Sequence, residues 1–389
     1  MKILVLSFYY YPDLSAGSFR TTALVKELQS RLNPSDSIDV VTTMPNRYQN
    51  YIQDAEKFEK NGNVSVYRIE LSNHKSGFID QSISYLYYSF NTLKYMRNKD
   101  YDLIYATSGR LFTGLLGAVI SRVKHIPLYL DIRDIFVDTM KSLLPLVLKF
   151  IFIPFFSLVE KFTFRSATKI NLVSVGFKDY IEKKAPNIAL SYFTNGLDDE
   201  FIDKKFTIDQ PRTSKKIITY AGNIGKGQGL ELIIPKISLF LGDKYEIRVI
   251  GDGGSRSLLE KELSSVNANN VVIINPVSRE KLIDYYAESD FLFLHLNDVP
   301  AFEKVLPSKI FEYAATGKLI LAGVKGYSRV FLEKNVDGVM LFDPCDESDF
   351  STKFSNFKST GVSRKKFCDK YSRKTIMGKM AADILSIEN

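Results

Sequence analysis

Short apolar runs rich in β-branched and aromatic residues alternate along the chain with longer stretches whose apolar positions recur every three or four residues. The first such unit is a run at 3–8, a loop through Gly17, and a segment placing Leu24, Leu28 and Leu32 on one helical face. Further strand-like runs lie at 39–43, 64–69, 103–107, 128–131, 169–173 and 190–193, mostly separated by helix-length segments. Such alternation predicts parallel strands joined by crossover helices, because parallel neighbours cannot be linked by a tight turn. Past Asn195 and Gly196 the apolar content falls through Asp209, Pro211 and Ser214. The alternation then restarts with runs at 217–221, 246–250, 271–274, 291–296, 319–322 and 339–342. The pattern predicts two α/β domains with doubly wound parallel sheets, at 1–196 and 217–370, a linker at 197–216, and a closing helical segment at 371–389. A chain of 389 residues also exceeds what one core usually supports.

One segment departs from the alternation. Residues 143–159 are apolar except for Lys149 and are interrupted by Pro145 and Pro154. A spanning helix needs about 20 apolar residues, so this one is short and broken for a span. A helix in the core and a helix lying in a membrane interface both remain open. Phe152, Phe155 and Phe156 form an apolar band in it, near Lys141, Lys161 and Arg165.

Composition narrows the classes. Hydrophobic residues at 45% and charged residues at 25% exclude wholesale disorder and a polytopic membrane protein. The net charge of +8 favours an anionic partner, but Lys and Arg are scattered and no nucleic-acid-binding pattern accompanies them, so phosphate is expected rather than nucleic acid. Two cysteines, Cys345 and Cys368, are too few for a disulfide framework and wrongly spaced for zinc, which fits a reducing cytoplasm. The first apolar run is too short for a secretory signal. No His or carboxylate cluster has metal-ligand spacing, so no metal is expected.

The chemistry concentrates at predicted strand ends. The segment Lys304, Val305, Leu306, Pro307, Ser308, Lys309 through Glu312 reads as a loop entering a helix, with Pro307 at the first helical position, where its missing N–H costs nothing. Free amides at Ser308 and Lys309 suit a phosphate, Lys309 adds a full charge, and Glu312 can accept from both hydroxyls of a ribose. An ordinary surface pair of Lys309 and Glu312 is the plainer reading. The run at 217–221 enters Gly222, Asn223, Ile224, Gly225, Lys226, Gly227, Gln228 and Gly229, either a second phosphate-facing turn or a tight turn only. A third turn, Gly251, Asp252, Gly253 and Gly254, lacks the spacing of a nicotinamide site. In the first half, Gly17 and Ser18 precede a helix, and Asp131, Arg133 and Asp134 end a strand. These last face either a ligand cleft or only one another as ions.

Taken together these residues resemble the retaining glycosyltransferases of the GT-B fold, family 4 of the sequence classification. The resemblance covers nearly the whole chain. It rests on the loop from Tyr11, Pro12 and Asp13 to Gly17, the Arg133 and Asp134 step, Ser174, the Asn195 and Gly196 turn, Gly251 to Gly253, and Pro307 to Glu312. It implies two Rossmann-like domains facing across a cleft, with the second holding a nucleoside diphosphate sugar and the first an acceptor. The helix at 376–385 would cross back onto the first domain. Glu312 would bind the ribose. Gly17, Asn223, Lys226, Gly251, Lys304, Leu306, Pro307, Ser308 and Lys309 would surround the donor, and Lys309, Arg133 and Asp134 would serve the reaction. Uridine is the expected base, no cofactor beyond the UDP-sugar is implied, and transfer would retain the anomeric configuration.

The turn at Gly222, Asn223, Ile224 and Gly225, with Gln228 to Glu231 and Pro307 to Lys309, looks like enzymes of O-antigen and capsule assembly, several of them associated with N-acetylfucosamine transfer. That branch implies an undecaprenyl-diphosphate-linked glycan as acceptor and a cytoplasmic protein, peripheral on an anionic inner membrane face. Two departures stand out. Asn223 and Gln228 occupy places where many relatives carry Arg and Lys, and Lys304 replaces the first Glu of a paired-Glu motif. A nucleotide-sugar epimerase of the same architecture and a non-catalytic membrane-bound subunit of a polysaccharide complex are the rival readings.

Overall fold

The computed structural model describes residues 1–387 except 14, 47–53, 72–77, 109–110, 205, 207–214 and 359–363. It divides into two units, Met1–Asn195 with Arg373–Asn389, and Gly196–Ser372.

The first unit carries β1 (Lys2–Leu6), β2 (Ser37–Thr43), β3 (Phe58–Asn61), β4 (Val64–Ile69), β5 (Leu103–Thr107), β6 (Leu128–Ile132), β7 (Lys169–Leu172) and β8 (Ala189–Ser191), in the order β3-β4-β2-β1-β5-β6-β7-β8. Between them run α1 (Ala16–Gln29), α2 (Phe78–Met96), α3 (Leu111–Lys124), α4 (Phe136–Leu143), α5 (Leu146–Ser166) and α6 (Lys178–Lys184). Central strands such as β5 are buried along their whole length, so both faces of the sheet must be covered. Right-handed crossovers do this. The step from β1 to β2 runs one way along the sheet and the steps from β4 through β5 and β6 to β7 run the other, which puts α1 on one face and α2, α3 and α5 on the opposite one. The alternation predicted parallel pairing throughout, but β3 pairs antiparallel with β4. Its sequence, Phe-Glu-Lys-Asn, is exposed at every position and carries no buried face for a periodicity to reveal.

The second unit carries α7 (Asp199–Asp203), β9 (Lys216–Asn223), α8 (Leu230–Leu241), β10 (Tyr245–Asp252), α9 (Arg256–Ser265), β11 (Val271–Ile274), α10 (Arg279–Glu288), β12 (Phe291–His295), α11 (Lys309–Thr316), β13 (Leu319–Gly323), α12 (Gly326–Asn335), β14 (Val339–Phe342), α13 (Glu347–Asn356) and α14 (Lys365–Tyr371). Its sheet, β11-β10-β9-β12-β13-β14, is parallel throughout. The linker expected at 197–216 begins too early. Leu197 N–H donates to the Tyr371 carbonyl at 3.0 Å and Phe201 of α7 is fully buried, so apolar side chains tie this stretch into the second unit. The rest of that expectation, 207–214, lies outside the described residues. The last helix, α15 (Arg373–Leu385), belongs to the first unit. It packs on α1, burying Met377 and Met380, and its Asp383 accepts from the Tyr129 hydroxyl at 3.0 Å.

Residues 143–159 form neither a fully buried helix nor a span. Pro145 caps α5 and Pro154 lies inside it. No described helix is long and apolar enough to cross a membrane. Phe156, grouped by the sequence with Phe152 and Phe155, instead points inward and packs with Leu111 and Val137.

Candidate functional site

In parallel sheets of this kind ligands gather beyond the carboxyl ends of the strands, where loops and helix N-termini converge. In the second unit two facing positions at those ends carry no side chain. β9 and β10 run in register so that Gly222 lies opposite Gly251 and Asn223 opposite Asp252. Gly222 (φ 147°) and Gly251 (φ 147°) both adopt backbone that side-chain-bearing residues rarely take. A Cβ at Gly251 would run into the Gly222 carbonyl, and one at Gly222 would run into Lys309, whose Nζ lies 2.9 Å from that position. Gly222 thus makes room for the Lys309 side chain over the end of β9, and Gly251 lets the β10 backbone lie against Gly222.

Lys309 opens α11. The helix starts two residues later than expected: Pro307 precedes the cap, Ser308 is the cap, and the Ser308 side chain makes no capping hydrogen bond. The Ile310 and Phe311 amides turn back to the Pro307 and Ser308 carbonyls at 3.2 and 3.1 Å. Burial pushes the Lys309 ammonium below its ordinary pKa and Arg279 pushes the same way, while Glu312 opposes them. Leu306 is buried and anchors the entering loop, whereas Pro307, Ser308 and Glu312 are half-buried. Tyr313, on the inner side of α11, has its hydroxyl 3.2 Å from the Ala221 amide, and the Tyr220 hydroxyl donates to the Asn223 carbonyl at 2.6 Å. The end of β9 and the start of α11 are therefore tied together from beneath. Lys304 ends a 3-10 turn, Pro300–Lys304, and is half-buried.

Asn223 and Gln228 hold each other across the loop, Nδ2 to Oε1 at 2.9 Å, so they brace the turn rather than stand in for cations. Lys226 is exposed on that turn. Three residues that sequence reasoning passed over complete the site. His295, at the end of β12, is buried with Nδ1 2.5 Å from the Gln228 carbonyl and with Nε2 accepting from the Cys345 amide at 2.9 Å. That pairing puts its proton on Nδ1. Burial drops its pKa to about 4, so the imidazole is neutral. Asn297 donates from its backbone to the Gly227 carbonyl at 2.9 Å and from its side chain to the Lys226 carbonyl at 2.8 Å. Arg279 ion-pairs with Asp198 and with Glu200, the latter at 2.7 Å, and lies close enough to Glu312 and Lys309 to act on their charges. A lone His or Arg in a strand-rich context carries no spacing signal. Only the fold brings His295 and Asn297 beside the loop and Arg279 near Lys309 and Glu312.

In the first unit, Gly17 and Arg133 meet: a Cβ on Gly17 would run into the Arg133 guanidinium. Ser15 caps α1 by accepting from the Ser18 amide at 3.1 Å. Arg133 is half-buried with an Nε that has no hydrogen-bond partner among the described residues, and burial lowers its pKa against the pull of Asp131 and Asp134. Asp134 is exposed. Asp131 is closed off. Arg20 binds both its oxygens at 2.8 and 3.0 Å, Tyr105 donates at 2.9 Å and Asn171 at 2.7 Å.

Residues 201–375, nearly all of the second unit, match the family model "Glycosyl transferases group 1". WcaI of Escherichia coli (strain K12), named for a glycosyl transferase of colanic acid biosynthesis, is 29% identical over 117 residues, 30% of this chain and 28% of that protein's length. HepE of Anabaena, solved in complex with UDP and glucose, superposes over the whole of both chains with a TM-score of 0.68 at 15% identity. WaaG, a glycosyltransferase involved in lipopolysaccharide biosynthesis, does so with a TM-score of 0.66 at 11% identity. The lipopolysaccharide outer core galactosyltransferase WaaB matches with a TM-score of 0.61 at 13% identity, over 99% of each chain. The fold is GT-B, two Rossmann-like α/β domains.

Proposed function

We propose that the protein is a retaining glycosyltransferase that binds a UDP-sugar in its second unit and transfers the sugar to a lipid-linked glycan. The observation that carries this reading is the Lys309 ammonium lying over the glycine-lined end of β9, with Glu312 one turn further along α11. A diphosphate bound there meets a cation and loop amides, and Glu312 is spaced to accept from the ribose hydroxyls. The family match over this unit and the UDP complex of HepE support the same ligand.

The reaction breaks the bond between the anomeric carbon and the diphosphate oxygen and forms one to an acceptor hydroxyl, whose proton is released. Negative charge grows on the departing UDP. Lys309 and the loop amides stabilise that charge more in the transition state than before it, which is where binding energy accelerates a step. In this reading they replace a divalent ion. Arg133 and Asp134 sit on the acceptor side, with Gly17 beside them. The acceptor is an undecaprenyl-diphosphate-linked glycan, and the protein works at an anionic inner membrane face through α5.

The donor sugar is an N-acetylated deoxyhexosamine such as N-acetylfucosamine, in O-antigen or capsule assembly. Lys304 cannot accept a hydrogen bond from a sugar hydroxyl as a carboxylate does, so the donor departs from plain glucose. The test incubates purified protein with UDP-N-acetylfucosamine, UDP-N-acetylglucosamine and UDP-glucose, with and without membrane lipid extract and EDTA. Acceptor-dependent UDP release that survives EDTA is expected, fastest with the first donor and reduced in Lys304→Ala and Lys304→Glu. Donor consumption without acceptor selects an epimerase. No consumption at all selects a non-catalytic subunit.

A further inference from the structure

The helices α2, α3 and α5 form one continuous layer on the first sheet. The Tyr85 hydroxyl of α2 donates to the Phe112 carbonyl of α3, with their rings 5.1 Å apart. On the other flank of α3, a Cβ at Gly114 would sit 3.2 Å from Thr163 of α5, and Arg122 donates to the Ser166 hydroxyl at 3.1 Å and the Arg165 carbonyl at 2.9 Å. Lys124, at the end of α3, reaches the Lys99 carbonyl beyond α2 at 2.6 Å. The inner faces are committed to the core. Tyr88 and Thr92 of α2 are fully buried, and Glu160 of α5 accepts from the Val137 amide at 2.9 Å and from Tyr180 and Lys184 at 2.6 Å each.

The outer faces are apolar. On α2, Ile83, Leu86, Tyr87, Phe90 and Leu93 recur at three- and four-residue spacing, with Leu86 69% and Phe90 68% exposed. On α5, Val147, Phe150, Ile151, Phe155, Leu158 and Phe162 do the same, with Phe150 75% exposed. Val123 of α3 is exposed between them. Large exposed apolar side chains in adjoining rows mark a contact surface rather than ordinary solvent-facing helix. The charges on α3 and α5 are one-sided. Lys94, Arg122, Lys161 and Arg165 are exposed, while the one carboxylate in α3 and α5 is the buried, paired Glu160.

We propose that α2 and α5, with α3 between them, are the face by which the protein lies on an anionic lipid bilayer, and that α2 makes a contact of its own rather than leaving attachment to α5. Two apolar rows rimmed by cations fit an interface of acyl chains below anionic headgroups. The inference rests on the lipid-linked acceptor proposed above for its purpose, but its readout is lipid binding and not catalysis.

Flotation of the full chain with vesicles of phosphatidylcholine alone and of phosphatidylcholine with phosphatidylglycerol tests it. Binding to the anionic vesicles that weakens in high salt is expected. Leu86→Glu with Phe90→Glu on α2, and Phe150→Glu with Phe155→Glu on α5, should each lower binding about tenfold or more. Far-UV circular dichroism and melting confirm folding, and Phe90→Asn alone serves as a milder α2 variant. Undiminished flotation of the folded α2 variants overturns the proposal in favour of α5 alone. So does failure of the native protein to bind either vesicle, or light scattering that shows this face joining two copies of the chain. Normal flotation with no sugar transfer would instead defeat the glycosyltransferase reading and leave this one standing.

Discussion

At the end of β6 in the first unit a carboxylate is enclosed on every side, while near the ends of β9 and β10 in the second unit facing glycines open the backbone. Asp131 is matched by Arg20, Tyr105 and Asn171, and Arg20 also donates to the Phe193 and Thr194 carbonyls at 2.8 Å each. Gly222, Gly251 and Gly253 leave backbone, plus one lysine and loop amides. The carboxyl end of a strand is thus used for closure in one sheet and for opening in the other. Charge at a strand end signals a ligand only where its partners are not already protein groups. By that standard Lys309 qualifies and Asp131 does not, while Arg133, with an unmatched buried Nε, stands between them.

The largest effect expected from this contrast is structural. Burial alone would raise the Asp131 pKa, but the Arg20 guanidinium outweighs it and holds the carboxyl below its usual range, so the pair is ionic in the folded state. Removing one partner of a buried pair strands the other, at a cost of about 3–5 kcal/mol. Asp131→Ala and Arg20→Met should each destabilise the first unit by that order in denaturant unfolding, and should leave UDP binding to whatever protein remains folded unchanged. Loss of UDP affinity with native stability would mean that Asp131 belongs to a ligand site after all.

The next effect is on the open side. Lys309→Ala should lower kcat by about a hundredfold, the size found when one preorganised group facing developing charge is removed. Glu312→Gln should weaken UDP binding about tenfold, in line with the loss of a charged hydrogen bond. Neither should shift the melting temperature much, since Lys309 occupies space that glycines leave free. Steady-state kinetics and calorimetric titration with UDP check both. Native kinetics in the two variants would return α11 to an ordinary surface helix.

Much of this was legible because two periodicities run through the chain. The strands at 64–69, 103–107 and 271–274 coincide with β4, β5 and β11, since β-branched and aromatic runs mark a strand whether it is buried throughout, as β5 is, or only in part. β3 was not legible, being a charged, wholly exposed edge strand beside Gly62. At the site, the glycines and the Lys309 to Glu312 segment could be read because they act through local backbone geometry. Arg279, His295 and Asn297 could not, because each acts on residues far away in the chain, His295 on Gln228 and Cys345. The inward turn of Phe156 was hidden for a related reason. At three- and four-residue spacing the three phenylalanines lie on one flank of the helix, and only the packing of α5 decides that Phe156, at its inner edge, is buried while Phe155 is exposed.

The smallest expected effect separates the units by pH. His295 is the only histidine in the second unit, since His74 and His125 lie in the first. Its folded pKa of about 4 lies below the ordinary 6.5 because the ring is buried, and a second proton would have to sit on Nε2, where the Cys345 amide already donates. Between those values the unfolded chain binds a proton that the folded one refuses, so stability rises with pH through this window and is lost on acidification. From about pH 7 to about pH 5.5 the loss is about 1 kcal/mol. Asp131 stays ionised over the same interval, since its pKa is depressed below an already acidic value, so the closed network of the first unit should not respond. Hydrogen exchange followed by mass spectrometry resolves the two. Peptides covering 223–229 and 343–346 should exchange faster at the lower pH, after correction for intrinsic rates, while peptides covering 128–132 should not. Replacing His295 by Gln removes the titrating group and should abolish the difference. Equal acceleration in both units would mean that the acid response belongs to the chain as a whole and that His295 does not hold the Gln228 loop.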